Sequence, residues 1–259
     1  MPRCLQIFFI TVMTATWLAG EVIYRETFDQ GNGSTGPQQG WTVGKNTEIN
    51  RGPETWHKNI LGYMGWGAPL EWTPQGGRSG GYATSSSPWY FDDNHGEFFW
   101  FHIVLRVRQT KDIGIQGKDL RNARVELSLR GRDLAVNDLK LYFWIQGEGG
   151  RSGYYTKPAL VNWALTSEPL GDALRDGQWN DVSFQLTTDE TRWSQLGLIN
   201  GGLARKIRVI QSRTMADGFL EGILAGKHWN FGFLLCGIDP RDLPQGKIDI
   251  DEFRIVASE

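Results

Sequence analysis

Cysteine is nearly absent from this chain of 259 residues, which has two, Cys4 and Cys236. Cys4 lies in an N-terminal segment that reads as cleavable, so a mature monomer has no intramolecular disulfide. The fold must then rest on an ordinary apolar core, which a chain of this length can bury. Cys236 sits in the apolar run Phe231 to Ile238, with no histidine placed to activate it, and reads as a small buried hydrophobe. Neither sign of charge is in large excess, with 27 basic and 29 acidic residues. The formal net charge is −2, without a lysine-arginine run, which leaves no electrostatic case for nucleic acid or an anionic membrane. After residue 20 no stretch is long and apolar enough for a membrane span. A fixed-period repeat, a serine triad, a zinc site, a phosphate loop and a calcium-loop motif are all missing. No break in composition calls for a second domain.

The first twenty residues carry the features of a signal peptide. Arg3 supplies the positive start, Leu5 to Leu18 is uncharged and mostly apolar, and Ala19-Gly20 are small residues suited to cleavage. This predicts a secreted protein with a signal peptide at 1–20 and a single domain at 21–259. Glycine (33) and tryptophan (12) are abundant, as expected of many short strands joined by turns.

Strands are predicted where apolar residues alternate with polar ones. Glu21 to Asp29 is the first. Val22, Tyr24, Glu26 and Phe28 share one parity, so a core-facing strand would carry Glu26 inward, where a carboxylate needs a cation or strong hydrogen bonds. Residues 44 to 97 hold many aromatics among glycines, prolines and serines and read as long loops, pinned by aromatic mini-cores or offering a binding surface. Phe99 to Arg108, Arg124 to Arg130 and Leu139 to Gln146 alternate well, as do Trp179 to Leu186 and Trp229 to Leu235. Thr214 to Ala225 has helical spacing. The last strand, Lys247 to Val256, changes parity midway: Ile248 and Ile250 precede Phe253 and Ile255. Because side chains alternate faces strictly, either a bulge sits near Asp251-Glu252 or both faces are covered. The whole predicts an all-β, antiparallel jelly-roll β-sandwich with long loops and one or two short helices.

Three of these strands suggest a site. If they lie side by side, their non-core faces bring together Trp100, His102, Arg106, Glu126, Arg130, Tyr142, Trp144 and Gln146, turned outward into one groove. Flat rings stack on pyranose faces, amides and charges bond hydroxyls, and arginines suit carboxylates or sulfates. The expected partner is a poly- or oligosaccharide, and the expected activity is non-catalytic binding. An outer face with ordinary cross-strand pairs is the plainer alternative. The enzymatic alternative is a polysaccharide lyase acting through His102, Arg106, Arg130 and Tyr142, or a glycoside hydrolase acting from the same face, and a structural or adhesive exported protein is a third.

The phrases Glu26-Thr27-Phe28-Asp29 with Gly40-Trp41, Gly177-Gln178-Trp179-Asn180-Asp181-Val182-Ser183-Phe184-Gln185-Leu186 and Ile248-Asp249-Ile250-Asp251-Glu252-Phe253-Arg254-Ile255 resemble the opening, a middle strand and the closing strand of galactose-binding-like carbohydrate-binding jelly rolls. The resemblance implies a structural Ca²⁺ held by Glu26 and Asp251. Oxygen ligands of this kind are what Ca²⁺ prefers. Asp249-Ile250-Asp251-Glu252 superficially resembles the acid cluster of β-sandwich glucanases, but Lys247 stands where their first glutamate would be.

Overall fold

The computed structural model describes residues 20–29, 41–46, 67–86, 90–91, 101–107, 109–134, 140–148, 161–166, 169–196, 219–236 and 245–258. The signal segment, Trp100 and most of the aromatic-rich stretch 44–97 lie outside them. The strands are β1 (Val22–Glu26), β2 (Trp41–Asn46), β3 (Gly67–Pro69), β4 (Glu71–Thr73), β5 (Tyr82–Ser86), β6 (Tyr90–Phe91), β7 (Phe101–Val107), β8 (Arg124–Arg132), β9 (Lys140–Glu148), β10 (Val161–Thr166), β11 (Asn180–Gln185), β12 (Trp193–Leu196), β13 (His228–Cys236) and β14 (Lys247–Val256). Within the predicted helix, residues 219 onward are described: a short turn of helix, α1 (Phe219–Gly222), that widens over Ile223–Lys227.

The protein is an all-β sandwich. One sheet has the order β11-β8-β14-β5-β4, with β1 also paired to β14. The other runs β12-β10-β9-β13-β7-β2-β3, with β6 also paired to β7. The strand pairs are antiparallel, as in β8–β14 and β9–β13. Rings from both sheets meet between them. Phe143 of β9 lies 5.0 Å from Phe184 of β11, and Phe231 of β13 stacks on Phe253 of β14 at 5.5 Å. These pairings establish a two-sheet antiparallel sandwich; the jelly-roll order of strands is a finer statement than they make.

The change of parity in β14 is resolved by a bulge. Asp251 pairs with Ser128, but Arg254 pairs with Glu126, so β14 spends one residue more than β8 between them. Glu252 has φ +48°, in the left-handed region. The extra residue lets Ile248, Ile250, Phe253 and Ile255 all reach the core. Asp249 and Asp251, on the opposite face, are buried as well, so both expected solutions occur together. The bulge also marks a change of partner: Lys247–Ile250 pair with β5, whereas Phe253–Val256 pair with β1. Asp251 and Glu252 face the break between these two strands.

In the second sheet, Gly232 of β13 lies opposite Arg106 of β7 on one side and Trp144 of β9 on the other. A Cβ at Gly232 would sit 2.3 Å from the Leu105 carbonyl oxygen and 2.6 Å from Arg106 Cβ. Backbone must shift to admit it, so Gly232→Ala is expected to cost about 1–3 kcal/mol. A urea midpoint unchanged by that substitution would contradict the close approach of β7 and β13.

Candidate functional site

The structure divides the predicted site between the two sheets. Glu126 and Arg130 are on β8 in the first sheet, whereas His102, Arg106, Tyr142, Trp144 and Gln146 are on β7 and β9 in the second. The expectation of one shared groove is therefore corrected: the three strands are expected in one sheet, but the chain crosses to the other sheet from β7 to β8 and back from β8 to β9. A second correction concerns β7. Its pairing shifts between Phe233 and Leu234, so that Leu105 pairs with Phe233 and Ile103 with Leu234. Val104 is the extra residue. Arg106 pairs with Gly232 and His102 with Leu235, neighbours of opposite parity on β13. Even spacing along the sequence concealed this shift.

Glu126 and Arg130 have structural partners. Glu126 is bonded by Arg124 and by Arg254, its cross-strand neighbour. Arg130 donates from Nε to Asp249 Oδ2 at 2.8 Å, and its guanidinium lies 4.3 Å from the Trp179 ring centre and 4.8 Å from that of Tyr82. Arg132 binds the same carboxylate through Nε (2.6 Å) and Nη2 (2.8 Å), and Thr84 Oγ1 donates to it at 2.8 Å. Trp179 Nε1 donates to the Gly76 carbonyl at 2.9 Å. Asp249 is thus a buried carboxylate whose two oxygens accept four hydrogen bonds, three of them from cations. Such a saturated network fixes the outer face of the first sheet and leaves its charges little freedom to serve a ligand.

The outer face of the second sheet differs in kind. Leu141, Phe143 and Ile145 of β9 belong to the core cluster; Tyr142 and Trp144 between them are buried yet lie outside it, as does Leu234. Trp144 is 0 % exposed and Arg106 2 %, and Gln146 is buried too. The rings expected to face solvent are shut away from it. A ring without exposed surface stacks on a sugar only when its cover opens. Asn230 faces Gln146 across the β9–β13 pair, and its Oδ1 is a buried acceptor with no hydrogen-bond partner. Asn230 was missed because the penultimate strand was read through Trp229, Phe231, Phe233 and Leu235. The signal was its alternate parity, which carries a polar residue onto the non-core face.

The two expected metal ligands sit at the break beside the β14 bulge. Glu26, on the core-facing parity of β1 opposite Phe253, is 4 % exposed. Its Oε1 accepts from the Phe28 amide at 2.9 Å, and its Oε2 has no partner. Burial pushes its carboxyl up to about 7, and the Asp29 charge adds to that against the Phe28 amide. Asp251 accepts from the Arg78 amide (2.5 Å) and the Glu252 amide (2.8 Å). Burial raises it to about 6, with Glu252 and Asp29 contributing. Asp29 is therefore the shared electrostatic neighbour that sequence reading did not single out. The loop Gly76–Gly81 closes over this corner, and glycine is required at 77, where a Cβ would lie 2.4 Å from the Gly81 carbonyl oxygen and 2.5 Å from Asp251 Oδ2; a Cβ at Gly80 would meet the Asp29 side chain. Arg25 pairs with Glu252 at 3.0 Å, and Arg78 with Asp181 at 2.7 Å. Among the described residues, no group of three or more His, Cys, Asp or Glu side chains is placed to hold a metal ion. A cation here would rest on two carboxyl groups and backbone oxygens.

Among the described residues, no helix is long and apolar enough to cross a membrane. No protein-family model matches the chain, and no curated protein does. Solved structures that resemble it distantly include the following two. One is a protein from Bacteroides thetaiotaomicron VPI-5482 provisionally described as a glycoside hydrolase, at 13% identity over 91% of this chain and 72% of that one, with a TM-score of 0.39. The other, from Bacteroides vulgatus ATCC 8482 and described in the same provisional terms, is 8% identical over 74% and 78%, with a TM-score of 0.31. Likeness at this level carries no argument about chemistry.

Proposed function

We propose that this is an exported carbohydrate-binding protein whose ligand face is the outer side of the second sheet, at Arg106, Tyr142, Trp144, Gln146 and Asn230. One observation carries the reading: an aromatic and polar layer is buried on the side of the sheet away from the core, with an unpartnered acceptor at Asn230 Oδ1. Burying such an oxygen without a donor costs free energy, and a hydroxyl-rich ligand supplies donors in the same place as it supplies flat apolar faces for the rings. Binding requires that the cover over this face open. In a screen of neutral and acidic oligosaccharides with product analysis, the expected result is binding without new reducing ends or unsaturated uronides. Asn230→Ala should weaken it about tenfold, the worth of a hydrogen bond in a desolvated site. Unsaturated products would make the protein a lyase. No binding to any glycan, with Trp144→Ala merely destabilising the fold, would make the layer a second hydrophobic packing surface.

We infer further that the acidic corner takes a structural Ca²⁺ through Glu26 and Asp251. The free Oε2 of buried Glu26 and the raised carboxyl groups support this, since a cation would offset both. Its role would be to hold β1 against β14, remote from any reaction.

A further inference from the structure

His228 opens β13 and is completely buried. Its Nε2 lies 3.0 Å from the Lys118 carbonyl oxygen, which only an N–H can satisfy, so the proton sits on Nε2 and Nδ1 is left as an acceptor. That Nδ1 has no partner. Three more hydrogen bonds join the same two segments. Thr110 Oγ1 donates to the His228 carbonyl (2.9 Å), the Gly117 amide to Gly226 (3.2 Å) and the Leu120 amide to Leu224 (2.7 Å). Segment 109–120 is thus clasped to 224–228 at one end of the sandwich, with the imidazole inside. Between His228 and Asn230 the pairing with β9 shifts register, from Gly147 to Gln146, so the clasp ends at an irregular step in the strand.

We propose that this clasp is a proton-released latch closed by neutral His228, and that its opening loosens the strand that presents Asn230. The second half rests on the glycan reading above; the first does not. A second proton must go on Nδ1, where it finds no protein acceptor and places a cation in a site closed to bulk solvent. The charged side chains of the packed elements, Lys111, Asp112, Lys118, Asp119, Glu221 and Lys227, all reach solvent. Burial alone holds the imidazole below its usual range, partly opposed by the Lys118 carbonyl, and no charged group enters. An opened clasp frees His228 to take the proton at its ordinary value of 6.5. The open fraction should therefore grow between pH 7.5 and pH 5, by a factor whose ceiling, set by the open state, is about thirtyfold.

Hydrogen exchange on the full chain tests this. With intrinsic rates corrected, the Gly117 and Leu120 amides should lose protection from pH 7.5 to 5, severalfold and at most about thirtyfold, while those of Val125 and Ile250 stay unchanged. His228→Gln, which retains a donor but does not titrate, should abolish the loss. No loss in the wild-type protein, or an equal loss in His228→Gln, overturns the latch. If that variant does not fold, imidazole NMR of the wild type decides: titration of His228 without loss of amide protection also overturns it. Glycan affinity should fall at least threefold at pH 5 in the wild type and not in His228→Gln. An opened latch with constant affinity overturns the link to Asn230. No glycan binding at any pH defeats the functional reading and leaves the exchange result standing.

Discussion

Asp249→Ala should destabilise the protein by about 3–5 kcal/mol, the cost of removing one partner from a buried charge network. The wild-type carboxylate is 0 % exposed and accepts from Arg130, Arg132 and Thr84. Without it two guanidinium groups converge on an empty position. Arg132 is the more exposed of the two and can turn to water; Arg130 lies over both rings of the edge-to-face pair Tyr82–Trp179 and cannot do so cheaply. Arg132→Ala should consequently cost less, about 1–2 kcal/mol, because Asp249 keeps Arg130 and Thr84. Denaturant midpoints of the two variants provide the check. If Asp249→Ala unfolds at the same urea concentration as the wild type, the network is an exposed surface pairing and not the fastening of the first sheet.

Glu26 should make the protein less stable as pH rises. Its folded carboxyl titrates near 7, against 4.5 for an ordinary glutamate. Below 4.5 both folded and unfolded states are protonated there, and the group does not oppose folding. Between 4.5 and 7 the unfolded chain gives up a proton that the folded protein retains, so stability falls with rising pH. The difference amounts to about 3 kcal/mol by pH 8. Other groups titrate in the same window, His228 in the opposite sense, so the comparison must be with Glu26→Gln. In chelator at pH 8 that variant should be the more stable protein, with the difference vanishing near pH 4.5. Added Ca²⁺ should raise the melting temperature of the wild type and leave Glu26→Gln nearly unmoved. A variant less stable than wild type at pH 8 in chelator would show that the buried carboxylate is already compensated. A wild type indifferent to both chelator and Ca²⁺ would remove the cation from the corner.

The strands were legible because alternation is a local property. Phe101–Val107, Arg124–Arg132, Lys140–Glu148 and Lys247–Val256 fall where period-two patterns placed strands. The end of the predicted helix was less so. Residues 223–227 wind more loosely than an α-helix, and Gly226 leaves helical geometry at φ +113°. The candidate site was legible only in part. Arg106, Tyr142, Trp144 and Gln146 share one sheet, but Glu126 and Arg130 do not, and His102 is offset from Arg106 by the shift in β7. Partnership between sheets and irregular register depend on contacts made far along the chain, which spacing does not record.

What the residues determined alone was the class of fold and one irregularity within it. Ile248, Ile250, Phe253 and Ile255 can all reach one core only through an extra residue, so the parity of β14 required either that bulge or a strand covered on both faces. Which face each acid would meet, and what would answer its charge, was decided by packing. Asp249 met two arginines from β8, whereas Asp251 met two backbone amides, that of its own neighbour Glu252 in the bulge and that of Arg78 in a glycine loop that closes where β1 and β5 leave β14. Trp144 shows the same division. Alternation set it on the far side of the sheet from Phe143, but burial of that side is a property of the assembled molecule, because solvent access depends on everything packed nearby and not on strand pattern.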